Sequence, residues 1–133
     1  MTGNGYAKYQ QNQLQTASPA RLLLAAYDGA IRFCGNAAEE MKKGNFDQQN
    51  HNINRALAII CELVSALRED VDPVLVDRLR SLYAYVIERI GYANIQQDEK
   101  ALAEGVGILK ELRETWAEAE KNIAQSAARR EAA

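Results

Sequence analysis

The sequence holds one histidine, His51. A helical di-iron site needs a Glu-x-x-His pair from each of two helices. No Glu stands three residues before His51, so that chemistry is excluded. His51 lies between Asn50 and Asn52, as a solvent-facing or capping side chain would. For the two cysteines, Cys34 and Cys61, a structural disulfide or a metal site is the weaker alternative, because two isolated thiols offer no ligand spacing. Both fall among apolar residues of predicted helices and are expected as small core side chains in a reducing compartment. Proline (2) and glycine (8) are scarce, and no Val/Ile/Thr-rich alternating segment points to a sheet. Neither charge sign dominates: 16 basic residues face 18 acidic ones, for a net charge of -2. The only adjacent basic pairs are Lys42-Lys43 and Arg129-Arg130. This excludes a nucleic-acid binder working through a basic patch, and a pI of about 5.5 disfavours anionic membranes. The longest apolar run, Leu22 to Tyr27, is far too short to span a bilayer, so no membrane insertion is expected. Met1 to Gln15 is polar and lacks the apolar core of a secretory leader. No phosphate-binding loop is present. Gly3-x-Gly5 has no strand beside it, and Gly105-x-Gly107 falls inside a predicted helix.

What remains is helix. The chain has 133 residues, 47% of them hydrophobic and 26% charged, enough for one domain with a real core. Residues 1–17 are rich in Gly, Asn, Gln and Thr and carry no helical stripe; they are read as a flexible arm. Ser18-Pro19 then gives a strong start signal. Leu23, Ala26, Ala30, Phe33, Ala37 and Met41 follow at helical spacing, up to Lys43 and the stop residue Gly44. Asp47 is the expected cap of a second helix, striped by Ile53, Leu57, Ile60, Val64 and Leu67 and ending near Arg68 to Asp70. Asp72-Pro73 opens a third, striped by Leu75, Leu79, Leu82, Val86, Ile90 and Ala93, with Tyr83, Tyr85, Ile87 and Tyr92 beside the stripe. Asp98 caps a fourth, with Leu102, Val106, Leu109, Leu112, Trp116, Ala119 and Ile123 in line. Gly105 and Gly107 weaken that helix but allow a close backbone approach. Short connections make successive helices antiparallel. The expected fold is therefore all-α: an antiparallel up-and-down four-helix bundle over 18–124, with 125–133 as a frayed tail or a short extra helix.

No catalytic constellation emerges, and no cofactor or metal is expected. Arg55, Arg78, Arg89 and Arg113 could line an anion pocket in a small all-α enzyme, but exposed helix-face arginines are far commoner. A structural or oligomerisation bundle is a further alternative. The distinctive feature is an apolar surplus on the first and third helices, with Tyr27, Tyr83, Tyr85 and Tyr92 adding amphipathic aromatic area. A surplus of this kind suits a groove for an amphipathic partner helix.

Several blocks resemble a known family. Tyr6-x-x-Tyr9-Gln10-x-Asn12-Gln13, Thr16-Ala17-Ser18-Pro19, Leu22-Leu23 and Tyr27-Asp28-Gly29-Ala30 stand in that order. Downstream come Ile53-x-Arg55-Ala56, Leu82-Tyr83-x-Tyr85, Ala93-Asn94 and Leu109-x-x-Leu112-Arg113-x-x-Trp116. Together they resemble the FliS family of flagellar export chaperones. The departures are Ala25-Ala26 where Met-Leu is common, a short acidic turn from Glu69 to Asp72, and glycines at 105 and 107. The resemblance implies a bacterial cytosolic chaperone that binds the disordered C-terminal segment of flagellin, prevents premature polymerisation and assists delivery to the flagellar type III export gate. An anti-sigma factor is a further implied partner. The candidate flagellin-groove residues are Tyr83, Ile87, Asn94, Ile95, Leu102, Val106 and Leu109. Asp28 and Asn94 are candidates to bond the ligand backbone. Tyr6, Tyr9, Gln10, Asn12, Tyr27 and Asp28 carry the family motif, and the arm is expected to cover part of the empty groove.

Overall fold

The computed structural model describes residues 18–132. They form four helices and, among the described residues, no strand: α1 (Pro19–Lys43), α2 (Phe46–Ser65), α3 (Pro73–Gln96) and α4 (Glu99–Ala132). Each helix packs on its sequence neighbours, and α4 closes the ring against α1, as expected of an up-and-down bundle. The α2–α3 seam is the least extensive of the four.

Local chemistry fixes most boundaries. The Ser18 side chain accepts from the Arg21 amide at 3.3 Å, with Pro19 at the first helical position. The Asp72 carboxylate accepts from the Leu75 amide at 3.1 Å, and Asp98 accepts from the amides of Lys100 and Ala101. Gly44 ends α1 at φ 72°, a conformation glycine adopts without strain, and Lys42 and Lys43 meet the negative end of the helix dipole. Gln97 ends α3 at φ 56°, in the left-handed region, and its side chain donates to the Asn94 carbonyl at 3.1 Å.

Three boundaries differ from expectation. α2 begins at Phe46 with Asn45 at the cap position and no side-chain capping bond, so Asp47 lies in the first turn, where it meets the dipole instead. α2 stops at Ser65, because Leu67 turns back to the Val64 carbonyl and Arg68 pairs with Asp70 inside the connection. Of the tail expected at 125–133, residues 125–132 continue the last helix, which runs to Ala132. No glycine or proline interrupts that alanine-rich stretch, so propensity carries the helix on, although residues 121–132 are all exposed.

The core runs the length of the bundle. Tyr27, Ala30, Cys34 and Ala37 come from α1, and Ile53, Ala56 and Ile60 from α2. Val86, Ile90 and Ala93 come from α3, and Leu102 and Leu109 from α4. The alanines let the helices close tightly around the larger side chains. Cys61, expected inside, is exposed, while Cys34 is buried. Burial pushes the Cys34 thiol up to about 12.

Candidate functional site

One polar group of contacts crosses the upper core. The Trp116 indole N–H donates to the Tyr27 hydroxyl at 3.0 Å, and the Tyr27 and Tyr83 hydroxyls share a hydrogen bond. This ties α1, α3 and α4 together at one level. Burial raises the pKa of both phenols above the ordinary value. One turn of α4 away, the Arg113 guanidinium donates to both carboxylate oxygens of Asp28, at 2.8 and 3.4 Å. Asp28 therefore bonds within the bundle.

Beside this group the surface is concave and apolar. A cleft of about 290 Å³ opens between α1, α4 and the α2–α3 connection, walled by Leu23, Leu67, Val71, Leu75, Tyr83 and Trp116. A second hollow of about 340 Å³ continues from Leu23 and Trp116 to Pro19, Ala119 and Ile123. From Leu75 an exposed stripe then runs along α3 through Leu82, Tyr85 and Tyr92 to Ile95, the last 77% exposed.

The stripe has a simple origin. The inward set on α3 is Val76, Leu79, Tyr83, Val86, Ile90 and Ala93. Leu75, Leu82, Tyr85 and Tyr92 each stand one residue before an inward one. They therefore lie about 100° further round the helix, on a second face that is half-exposed. The stripe is also braced. Tyr85 donates to Glu104 of α4, and that bond raises the Tyr85 phenol. Arg89 lies 4.6 Å from the centre of the Tyr92 ring and pairs with Glu88 and Glu104. Rigid, half-exposed Tyr and Arg side chains are what binding hot spots are made of.

The sequence-expected groove residues divide. Ile95 is exposed on the α3 stripe, and Ile87 and Val106 are half-buried. Leu102 and Leu109, at 1% and 0% exposure, lie in the core instead. The fourth helix turns its main stripe inward, so these leucines hold the bundle together and present no surface. Tyr83 is buried as well, though it reaches the cleft wall. The Asn94 amide is engaged inside the bundle: its oxygen accepts from Gln49 at 2.8 Å, and its nitrogen donates to Asn50 at 3.0 Å. Gln49 is itself buried, and its Oε1 has no partner among the described residues. Tyr6, Tyr9, Gln10 and Asn12 lie outside the described residues. Leu23, Leu67, Val71 and Leu75 were not expected at a site. Of these only Leu75 belongs to the second α3 periodicity, which hydropathy alone merges with the first.

The four candidate arginines do not converge. Arg113 serves Asp28, Arg89 serves Glu88 and Glu104, and Arg55 lies over the Phe33 ring at 5.8 Å. Arg78 lines a separate surface hollow near the start of α3. Among the described residues no group of three or more His, Cys, Asp or Glu side chains could hold a metal ion. Among the described residues no helix is long and apolar enough to cross a membrane.

The family model described as "Flagellar protein FliS" matches residues 2–123. The chain belongs to the FliS family. The flagellar secretion chaperone FliS of Bacillus subtilis (strain 168) is 34% identical over 116 residues, covering 87% of this chain and 86% of that protein. Its counterpart from Campylobacter jejuni is 30% identical over 117 residues, covering 88% and 91%. A solved structure described as a flagellar chaperone from bacteria superposes with a TM-score of 0.73 over 92% of this chain and 99% of that one. At 20% sequence identity that likeness shows the fold, which is the four-helix bundle described above. As a FliS-family member the chain is a flagellar secretion chaperone. The FliS match ends at residue 123, where the last helix has passed the start of α1.

Proposed function

We propose that this FliS-family chain holds flagellin by its C-terminal segment in the bacterial cytosol, keeps it from polymerising early and delivers it to the flagellar type III export gate. The observation that carries this reading is the connected apolar path from Ile123 past Trp116 and Leu23, over Leu75, and down α3 through Leu82, Tyr85 and Tyr92 to Ile95. A path that crosses three helices suits a long segment that wraps as it folds. Ordering such a segment costs conformational entropy, and an extended apolar contact offsets that cost. Ile87 and Val106 are half-buried against the core. The polar partners first assigned to the client, Asp28 and Asn94, already have partners in the bundle. Binding therefore rests on apolar and aromatic contact.

The arm competes with the client for the same path through Tyr6 and Tyr9. The bundle begins at Ser18-Pro19, and Pro19 lines the second hollow.

Titration calorimetry with a peptide covering the C-terminal segment of flagellin from the same bacterium tests the reading. One-to-one binding with a negative heat-capacity change is expected. Leu82→Glu, on the exposed stripe, weakens it by at least about tenfold, roughly 1.4 kcal/mol, without loss of fold. Deleting residues 1–15 leaves the thermal transition in place and tightens binding. Absence of saturable binding by the intact chain sinks the flagellin reading.

A further inference from the structure

The α2–α3 seam is joined by polar contacts at one end. Among the described residues, every side-chain hydrogen bond that crosses it runs through Asn94. The Gln49 amide nitrogen donates to the Asn94 side-chain oxygen and, at 3.4 Å, to its backbone carbonyl, and the Asn94 amide nitrogen donates to Asn50. Gln49 is 1% exposed, and its Oε1 is sealed from solvent without a donor among the described residues. Turning the amide over gives no relief, because Oε1 would then face the Asn94 backbone oxygen. An unmet buried acceptor is costly, and a half-satisfied polar joint holds less well than an apolar one. The same end has two further weak points. α2 starts without a side-chain cap, and Gln97 closes α3 in the left-handed region, which strains a residue with a Cβ.

We propose that the Asn94 end of the α2–α3 seam is a latch that opens ahead of the rest of the bundle and seats the end of the client segment. The seam is the least extensive of the four, so few contacts are lost when it parts. Opening lets water reach the Gln49 oxygen, and that hydration offsets part of the loss. One turn further along the same faces stand Ile53 on α2 and Ile90 on α3, both buried. Opening uncovers them on the helices that already expose Phe46 and Ile95, at 60% and 77%. The apolar path, which ends at Ile95 in the closed bundle, then continues between α2 and α3. This inference rests on the client reading above and adds to it the place where the bundle yields. Asn94 and Gln49 act in it through each other, as positioning residues that set how often the seam is open.

Native-state hydrogen exchange on the full chain, without client, tests the latch. Amides of residues 50–56 on α2 and 90–96 on α3 are expected to share one opening, easier than global unfolding and little affected by low urea. Fraying of a single helix end would not give stretches on two helices the same opening. If either stretch exchanges only through global unfolding, the proposal is overturned on the unmodified chain, whatever the variants do. Gln49→Met fills similar space without the unmet acceptor and leaves the half-buried Asn94 to water; it raises the protection of both stretches by about fivefold or more. Asn94→Ala lowers both by a similar factor. Apparent affinity scales with the population of the competent form. Gln49→Met therefore weakens binding of the flagellin C-terminal peptide by the same factor by which it raises protection. Unchanged or lowered protection in Gln49→Met overturns the latch, because the Gln49 oxygen is then held by a resident water. Raised protection with unchanged affinity overturns the seating of the client there. Absence of peptide binding by the unmodified chain is a different failure, that of the client reading itself, and the exchange result still decides the latch.

Discussion

Gly105 and Gly107 stand two residues apart on α4 in opposite surroundings. A Cβ on Gly105 would lie 3.1 Å from Cγ1 of Ile90, a side chain with 0% exposure and little room to yield. A Cβ on Gly107 would meet nothing within 4 Å. Alanine at either site gains helix propensity of up to about 1 kcal/mol, and only at 105 does overpacking of about 1–3 kcal/mol oppose it. Gly107→Ala therefore raises the urea midpoint, and Gly105→Ala lowers it. Equal gains at both sites would mean that α3 and α4 part freely. Nothing in the sequence separates the two glycines; the difference lies in Ile90, fifteen positions upstream. The cysteines pose the same problem. Both sit among apolar neighbours, yet Cys61 is exposed while Cys34 is buried, its thiol pushed up to about 12. A thiol reagent at mildly alkaline pH is expected to label Cys61 in the native protein and Cys34 only after denaturant is added. Mass spectrometry that finds both labelled in the native protein would refute the burial of Cys34.

At the scale of the helix, local signals and rotation behave differently. Ser18-Pro19, Gly44, Asp72-Pro73 and Asp98 act within a turn of themselves, so the boundaries they set were legible in the sequence. The rotation of α3 was not. Its two apolar sets are offset by a single residue, and hydropathy gives Leu82 as good a claim on the interior as Tyr83. The choice depends on Tyr27 and Trp116, which offer Tyr83 a hydroxyl partner and a packing surface from two other helices. Of the expected groove on α3 and α4, Tyr83 turned inward for this reason, while Leu82, Tyr85 and Tyr92 joined Ile95 on the outer face. Alanine substitution checks the rotation. Leu109→Ala removes a wholly buried side chain and costs about 2–5 kcal/mol, whereas Leu82→Ala, at 39% exposure, costs less than about 1 kcal/mol. Comparable losses would place Leu82 inside. The end of α4 gives a second check. Residues 121–132 are all exposed, so truncation after Ile123 should reduce the helical circular dichroism while leaving the thermal midpoint nearly in place.

For the whole molecule, ion pairs contribute little to stability. Those of Lys42, Lys43, Arg68 and Arg80 lie on the surface, where solvent screens them. Stability comes from the apolar core and from keeping three buried ionisable groups neutral: Cys34, Tyr27 and Tyr83. Each has its folded pKa raised, mainly by burial. Between the unfolded and folded values the unfolded chain has lost the proton while the native chain still holds it. The unfolded state then binds fewer protons, so stability falls as pH rises. For Cys34 this window runs from about 9 to about 12, and the two tyrosines act in the same direction from about 10 upward. The denaturation midpoint should therefore be flat through neutral pH and fall steadily above about pH 9. The part of the tyrosinate absorbance that Tyr27→Phe and Tyr83→Phe remove should appear together with unfolding and not before it. Tyr83→Phe flattens the fall, because one of the three groups can no longer ionise in the unfolded chain. A midpoint that stays level into strong alkali, or ionisation of Tyr27 and Tyr83 themselves while the helices persist, would show that water reaches the hydroxyl pair.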